Sequence, residues 1–130
     1  MRELNLTKPN MMQMLHVIED WKKEYHHEKD ILIFQNKELF SNIKFDNHSL
    51  HTIAKNSKGF ENLPDCLINP DEVWSTWKDV KTQSIVLRNY IVFGGKYNYI
   101  CSTEMGVVTN AFIAILSETN KYRKGCLLVK

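Results

Sequence analysis

The chain has 130 residues, 43% hydrophobic and 25% charged, with a formal net charge of +2. That is one domain's worth of sequence with the composition of a packed globular protein, which excludes a disordered, collagen-like or mucin-like chain. The longest mostly apolar run, Val107 to Leu116, is broken by Thr109 and Asn110 and falls short of the ~20 residues that cross a bilayer, so no membrane span is expected. The opening MRELNLTKPN is polar and mixed in charge, so no ordinary export signal is expected either.

Cys66, Cys101 and Cys126 are odd in number and widely spaced. They argue against a disulfide framework and for a reducing compartment. His26-His27-Glu28 has the outline of the HxE half of a zinc deaminase, but the Pro-Cys-x-x-Cys half is absent. The HExxH pattern fails as well, because Lys29, Asp30 and Ile31 follow Glu28. No metal or cofactor site is read.

The charge is unevenly spread. Residues 1–77 hold nine Lys/Arg against twelve Asp/Glu, a net −3, and residues 78–130 hold eight against three, a net +5. The tail KYRKGCLLVK carries four of those cations and no acid. Such a half attracts phosphate, although lysines also guard sheet edges.

Met11, Met14, Leu15, Ile18, Trp21 and Tyr25 recur at three- and four-residue steps, which predicts an amphipathic helix opened by an Asn10/Gln13 capping box. ILIF after Asp30 predicts a strand over 31–35, while Lys37 to Asp46 fits neither period and reads as helix or loop. Asn47 is expected to cap a short helix from His48 to about Lys58, ended by Gly59. Asn69-Pro70-Asp71-Glu72 carries the signals of another helix start, with Val73, Trp74 and Trp77 as its apolar face. After Thr82 the period changes to two. Ile85 to Phe93, Gly94-Gly95 and Lys96 to Ser102 read as a hairpin, Val107 to Leu116 as a third strand and Cys126 to Val129 as a fourth. The expected fold is α+β: a single domain over 1–130, with a helical N-terminal portion and a short strand over 1–46, then a core over 47–130 ending in a twisted antiparallel meander of about four strands.

A sheet with one face on helices presents its other face freely, and Arg88, Tyr90, Thr109, Asn110 and Ser102 are the polar candidates there. Metal-independent RNA cleavage needs the 2′-hydroxyl deprotonated, the phosphoryl group stabilised and the 5′-oxygen protonated. Histidine, lysine, arginine and hydroxyl side chains supply those functions, and each type is present. Each also has a plain structural explanation: His51 as a surface histidine, Arg88 lying over apolar surface, Trp74 and Trp77 as core.

The runs INPDEVW, VLRNYI, YICSTEMGVVTNAF and YRKGCLLVK occur in that order. Together they resemble the phage-type branch of the barnase/EndoU/colicin/RelE ribonuclease superfamily over residues 48–130. The resemblance implies a metal-independent endoribonuclease toxin that cleaves RNA, transfer RNA among the candidates, to a 2′,3′-cyclic phosphate. It implies a cytoplasmic site of action, reached inside a target bacterial cell if the domain is delivered by a larger effector, and a cognate immunity partner. Carried over by position, it implies His51 as the catalytic histidine with His48 as its rival, and Lys55 one turn on. Arg88 and Tyr90 would sit on the first meander strand, Thr109 would supply a hydroxyl, and Arg123 would be the late Arg-x-Gly arginine. Asn110 and Ala111 separate Thr109 from Phe112, a departure from the pattern at Thr109. Two other readings remain open: a non-catalytic interaction module of a phage or mobile element, and an immunity or adaptor protein binding a basic partner through the acidic N-terminal half.

Overall fold

Asn10 opens the first helix as its sequence dictates, since its side chain accepts from the Gln13 N–H while its own N–H donates to the Gln13 side chain, both at 2.9 Å. In a computed structural model, which describes residues 1–130, helix α1 spans Met11–Glu24 and buries Met14, Ile18 and Trp21. A free helix of that length is marginal in water, so the buried stripe is what holds it. The Trp21 ring meets Phe34, Phe45 and Phe60 at centroid distances of 5.9, 6.4 and 4.8 Å.

Three short strands follow, β1 (His26–Glu28), β2 (Ile31–Asn36) and β3 (Ser41–Phe45). The stretch read as helix or loop therefore ends in a strand. Its turn holds Phe40 at φ +51°, and Ile43 and Phe45 point inward. Buried Asn36 stabilises that turn, accepting from the Leu39 N–H at 3.0 Å and donating to the Leu67 carbonyl at 2.9 Å. Helix α2 (Asn47–Ala54) is shorter than expected and capped one residue earlier, by Asp46 rather than Asn47. The reciprocal partner is Ser49. Gly59, at φ +81°, then turns the chain into a 3-10 turn and helix α3 (Leu63–Ile68).

The helix expected from Asn69 onward is instead β4 (Glu72–Val80). Asn69 ends α3, its N–H donating to Asp65 O at 2.8 Å, and the β-formers Val73, Trp74, Thr76 and Trp77 pair residue by residue with β5 (Gln83–Phe93). β6 (Tyr97–Glu104), β7 (Val107–Ile115), a short α4 (Leu116–Thr119) and β8 (Cys126–Val129) complete the chain.

All strands join one sheet in the order β1-β2-β3-β7-β6-β5-β4-β8. This corrects the expected four-strand meander: β7-β6-β5-β4 is an antiparallel meander, but it lies inside an eight-stranded mixed sheet. The N-terminal portion is one helix and three strands. β1 has no apolar residue and β3 only Ile43 and Phe45, so neither shows the apolar run that marks a strand in sequence. β3 runs parallel to β7 through a narrow seam, the Lys44–Val107 pair, where the Lys44 N–H donates to Gly106 O at 2.8 Å. At the other end Gly125 brings the chain so close to β4 that a Cβ there would sit 2.1 Å from the Ser75 carbonyl oxygen. Its φ of +90° suits glycine as well.

Helices α1, α2 and α3 pack on one face, over a core that includes Leu32, Phe34, Val73, Tyr90, Tyr99, Cys101 and Val108. Each fully buried side chain of this kind contributes about 1.5–3 kcal/mol before ordering costs. The opposite face carries a smaller cluster, Ile91, Ile100 and Ala114, with Trp74, Phe93, Phe112 and Tyr122 around it. A flat sheet would hold β5 and β3 about 14 Å apart, three strand spacings. A 2.9 Å hydrogen bond from Arg88 on β5 to Ser41 on β3 shows that the sheet curls, with the helix-bearing face inside. No helix is long and apolar enough to cross a membrane.

Candidate functional site

Arg88 lies opposite Ser75 on β4 and Thr103 on β6, and it alternates with Tyr90 and Val92 on the concave face. Tyr90 and Val92 go into the core, whereas Arg88 stands where the helical cover ends. It forms the floor of a cleft of about 270 Å³ whose walls include Ser41, Val86, Tyr90, Thr103 and Met105. No carboxylate lines it. Nη1 donates to Ser41 Oγ at 2.9 Å, and Nε is buried with no hydrogen-bond partner. Burial pushes the Tyr90 phenol up, and the adjacent Arg88 guanidinium opposes that shift without cancelling it. The phenol is therefore a hydrogen-bonding group here and a poor base. A guanidinium with hydroxyl neighbours suits a phosphate or carboxylate oxygen, since it offers planar donors that stay charged. An imidazole or carboxylate that could move a proton is missing from the cleft walls.

The other residues singled out from sequence lie elsewhere. Helix α2 buries Ser49, Leu50 and Ile53, which turns His48, His51 and Lys55 onto its outward, exposed stripe. Ser49 Oγ ties this helix to β7 by donating to Val108 O at 2.6 Å. Thr109 occupies a β-bulge, where the register shifts between Ser102 and Thr103, and its hydroxyl donates to Ser102 O at 3.3 Å. Asn110 is exposed, its side chain accepting from the Ala111 N–H.

Arg123 lies on the convex face with Glu72, whose carboxylate takes both the Arg123 Nε–H at 2.7 Å and the Trp74 indole N–H at 3.0 Å. Its Nη1 donates to Asn120 at 2.8 Å, and the guanidinium sits 5.5 Å from the Phe93 ring centroid. Arg123 is thus a neutralised cation that fixes the C-terminal segment. Ser102 on the same face donates to Asn89 at 2.6 Å.

The structure therefore brings Arg88 and Tyr90 together, adds Ser41 and Thr103, and leaves His48, His51, Lys55, Thr109 and Arg123 outside the cleft. Trp77, read as core, is 64% exposed. Strand alternation could have placed Val86, Arg88 and Tyr90 on one face. Nothing local to the sequence points to Ser41, which arrives through the curl of the sheet. No group of three His, Cys, Asp or Glu side chains is placed to hold a metal ion. Comparison of the chain with models of known families, with curated proteins and with solved structures finds no match.

Proposed function

We propose that this protein is an RNA-binding module that seats a backbone phosphate in the Arg88 cleft. The observation that carries this reading is the Arg88 guanidinium lining the cleft, hydrogen-bonded to Ser41 and with no carboxylate among the walls. A guanidinium that meets no counter-charge favours an anion, and its planar donors match phosphate oxygens. The formal net charge of +2 adds a weak long-range attraction. Titrating a labelled RNA oligonucleotide at several salt concentrations tests it. Arg88→Gln is expected to weaken binding about tenfold or more and to lower the salt slope by about one, with Arg88→Lys in between. Unchanged binding by Arg88→Gln would overturn the reading.

A second reading is the metal-independent endoribonuclease implied by the sequence resemblance. It is favoured by the antiparallel meander β4 to β7 with α2 and α3 on one face, and by the Ser49–Val108 bond that anchors the histidine-bearing helix beside Thr109. It would use His51 as general base or acid, with Lys55, Arg88 and Arg123 on the phosphate and Thr109 or Tyr90 on a non-bridging oxygen. Those groups occupy separate surfaces here, so it ranks below binding. RNA incubated in EDTA would show a 2′,3′-cyclic phosphate product that disappears with His51→Ala, and expression would arrest growth in the absence of an inhibitor. Intact RNA and harmless expression would remove it.

A further inference from the structure

The three tryptophans are used very differently. Trp21 is buried among phenylalanines, and Trp74 is half-buried with its indole N–H on Glu72. Trp77 is 64% exposed. Its cross-strand partner is Val86, while Arg88 pairs with Ser75 two residues back. Trp77 is therefore the diagonal neighbour of Arg88 on the concave face, about 7–8 Å away, a separation that aromatic side chains span. Val86 and Met105, both exposed, extend this apolar lip, the Val86 N–H meeting the Met105 sulfur at 3.3 Å.

On the other side of Arg88, next to the β3 strand, lies a second exposed aromatic. Phe40 immediately precedes Ser41, the residue that accepts from Arg88, and it is 96% exposed. It also sits at φ +51°, a conformation that strains a bulky side chain. A phenyl ring that is both strained and fully exposed does nothing for the fold, and glycine or asparagine would serve the turn better.

From this placement we infer that the occupant of the Arg88 cleft is a single-stranded RNA segment, its phosphate on Arg88 and the flanking bases stacked on Trp77 and Phe40. The inference rests on the RNA-binding reading and adds the strandedness and the stacking residues. A base lies one sugar away from its phosphate, so an aromatic on each side of a guanidinium matches the repeat of a nucleotide chain. Paired bases keep their faces covered by their neighbours, so a duplex could offer only its phosphates.

The test uses the intact protein and three probes of equal length: a mixed-sequence RNA strand, that strand annealed to its complement, and an abasic ribose-phosphate strand. The single strand is expected to bind about tenfold more tightly than either other probe and to quench indole emission, the quenching disappearing in Trp77→Phe. Trp77→Ala and Phe40→Gly are each expected to weaken single-strand binding about tenfold, to leave abasic binding and the salt slope unchanged, and to leave the melting temperature unchanged or, for Phe40→Gly, raised. A merely structural role for Phe40 would lower the melting temperature instead. Equal affinity for the three probes, or full single-strand preference in both variants, overturns the stacking inference. The phosphate reading survives that result if Arg88→Gln still weakens binding, and falls with it if Arg88→Gln has no effect.

Discussion

The two faces of the sheet are built on different terms. The concave face is sealed by three helices into a cluster of 21 buried residues, while the convex cluster has three, covered only by α4 and the turn around Tyr122. Their cations differ in the same way: Arg123 on the convex side is neutralised by Glu72 at 2.7 Å, and Arg88 at the concave mouth has no carboxylate in its cleft. The face that carries the stability also holds the one arginine of this pair available to a ligand, and the convex face spends its arginine on holding down the C-terminal segment.

Core truncations test that contrast most strongly. Trp21→Ala is expected to cost about 3–5 kcal/mol in urea unfolding. Phe112→Ala removes a half-buried ring that packs at a tilt against Tyr122, 4.9 Å between centroids, and is expected to cost about 1–2 kcal/mol. Equal losses would abolish the distinction between the faces.

Alkaline pH should separate them next. Cys66, Cys101, Tyr90 and Tyr99 all lie in the concave core, and burial pushes all four pKa values up, with no such group in the convex cluster. In the unfolded chain the thiols and phenols would ionise near their ordinary values of 9.0 and 10.0, whereas the fold keeps them neutral. The stability they contribute is complete below about pH 9 and is lost as pH rises beyond it, at up to about 1.4 kcal/mol per pH unit per group. Urea midpoints measured from pH 7 to 10.5 should fall accordingly, and Cys66→Ala/Cys101→Ala should flatten the first part of the decline. A flat profile in the parent protein would show these groups to be in contact with water.

Smaller effects sharpen the picture. Asp46→Ala removes the α2 cap and is expected to cost about 1 kcal/mol, read from the thermal melt. A thiol reagent should modify only Cys126 in the native protein and all three cysteines in denaturant, because Cys66 and Cys101 are buried. Rapid labelling of a second thiol would mean that the concave core opens readily.

Much of the scaffold was legible. The 3.6-residue stripe and capping box gave α1, the alternating runs Ile85 to Phe93 and Lys96 to Ser102 gave β5 and β6, and the run from Val107 to Leu116 gave β7. β4 was misread because Asn69-Pro70-Asp71-Glu72 satisfies the local rules for a helix start, and only pairing with β5 shows that Val73 to Trp77 are extended. For the site, alternation sufficed to put Arg88 with Tyr90. His51 looked like a partner because the buried face of α2 was unassigned; Leu50 and Ile53, once seen in the core, turn the imidazole outward. Ser41 is 47 residues from Arg88 and three strands away, a contact that depends on sheet curvature and leaves no local trace.

Gly125 has a consequence for solubility. β8 shields the backbone of β4 only from Val73 to Ser75, and the stretch from Thr76 to Val80 already lacks an outer neighbour. A methyl group at position 125 would collide with the Ser75 carbonyl and lift that shield, presenting a nine-residue template for strand recruitment between molecules. Its penalty would register as turbidity before it registered as a lower melting point.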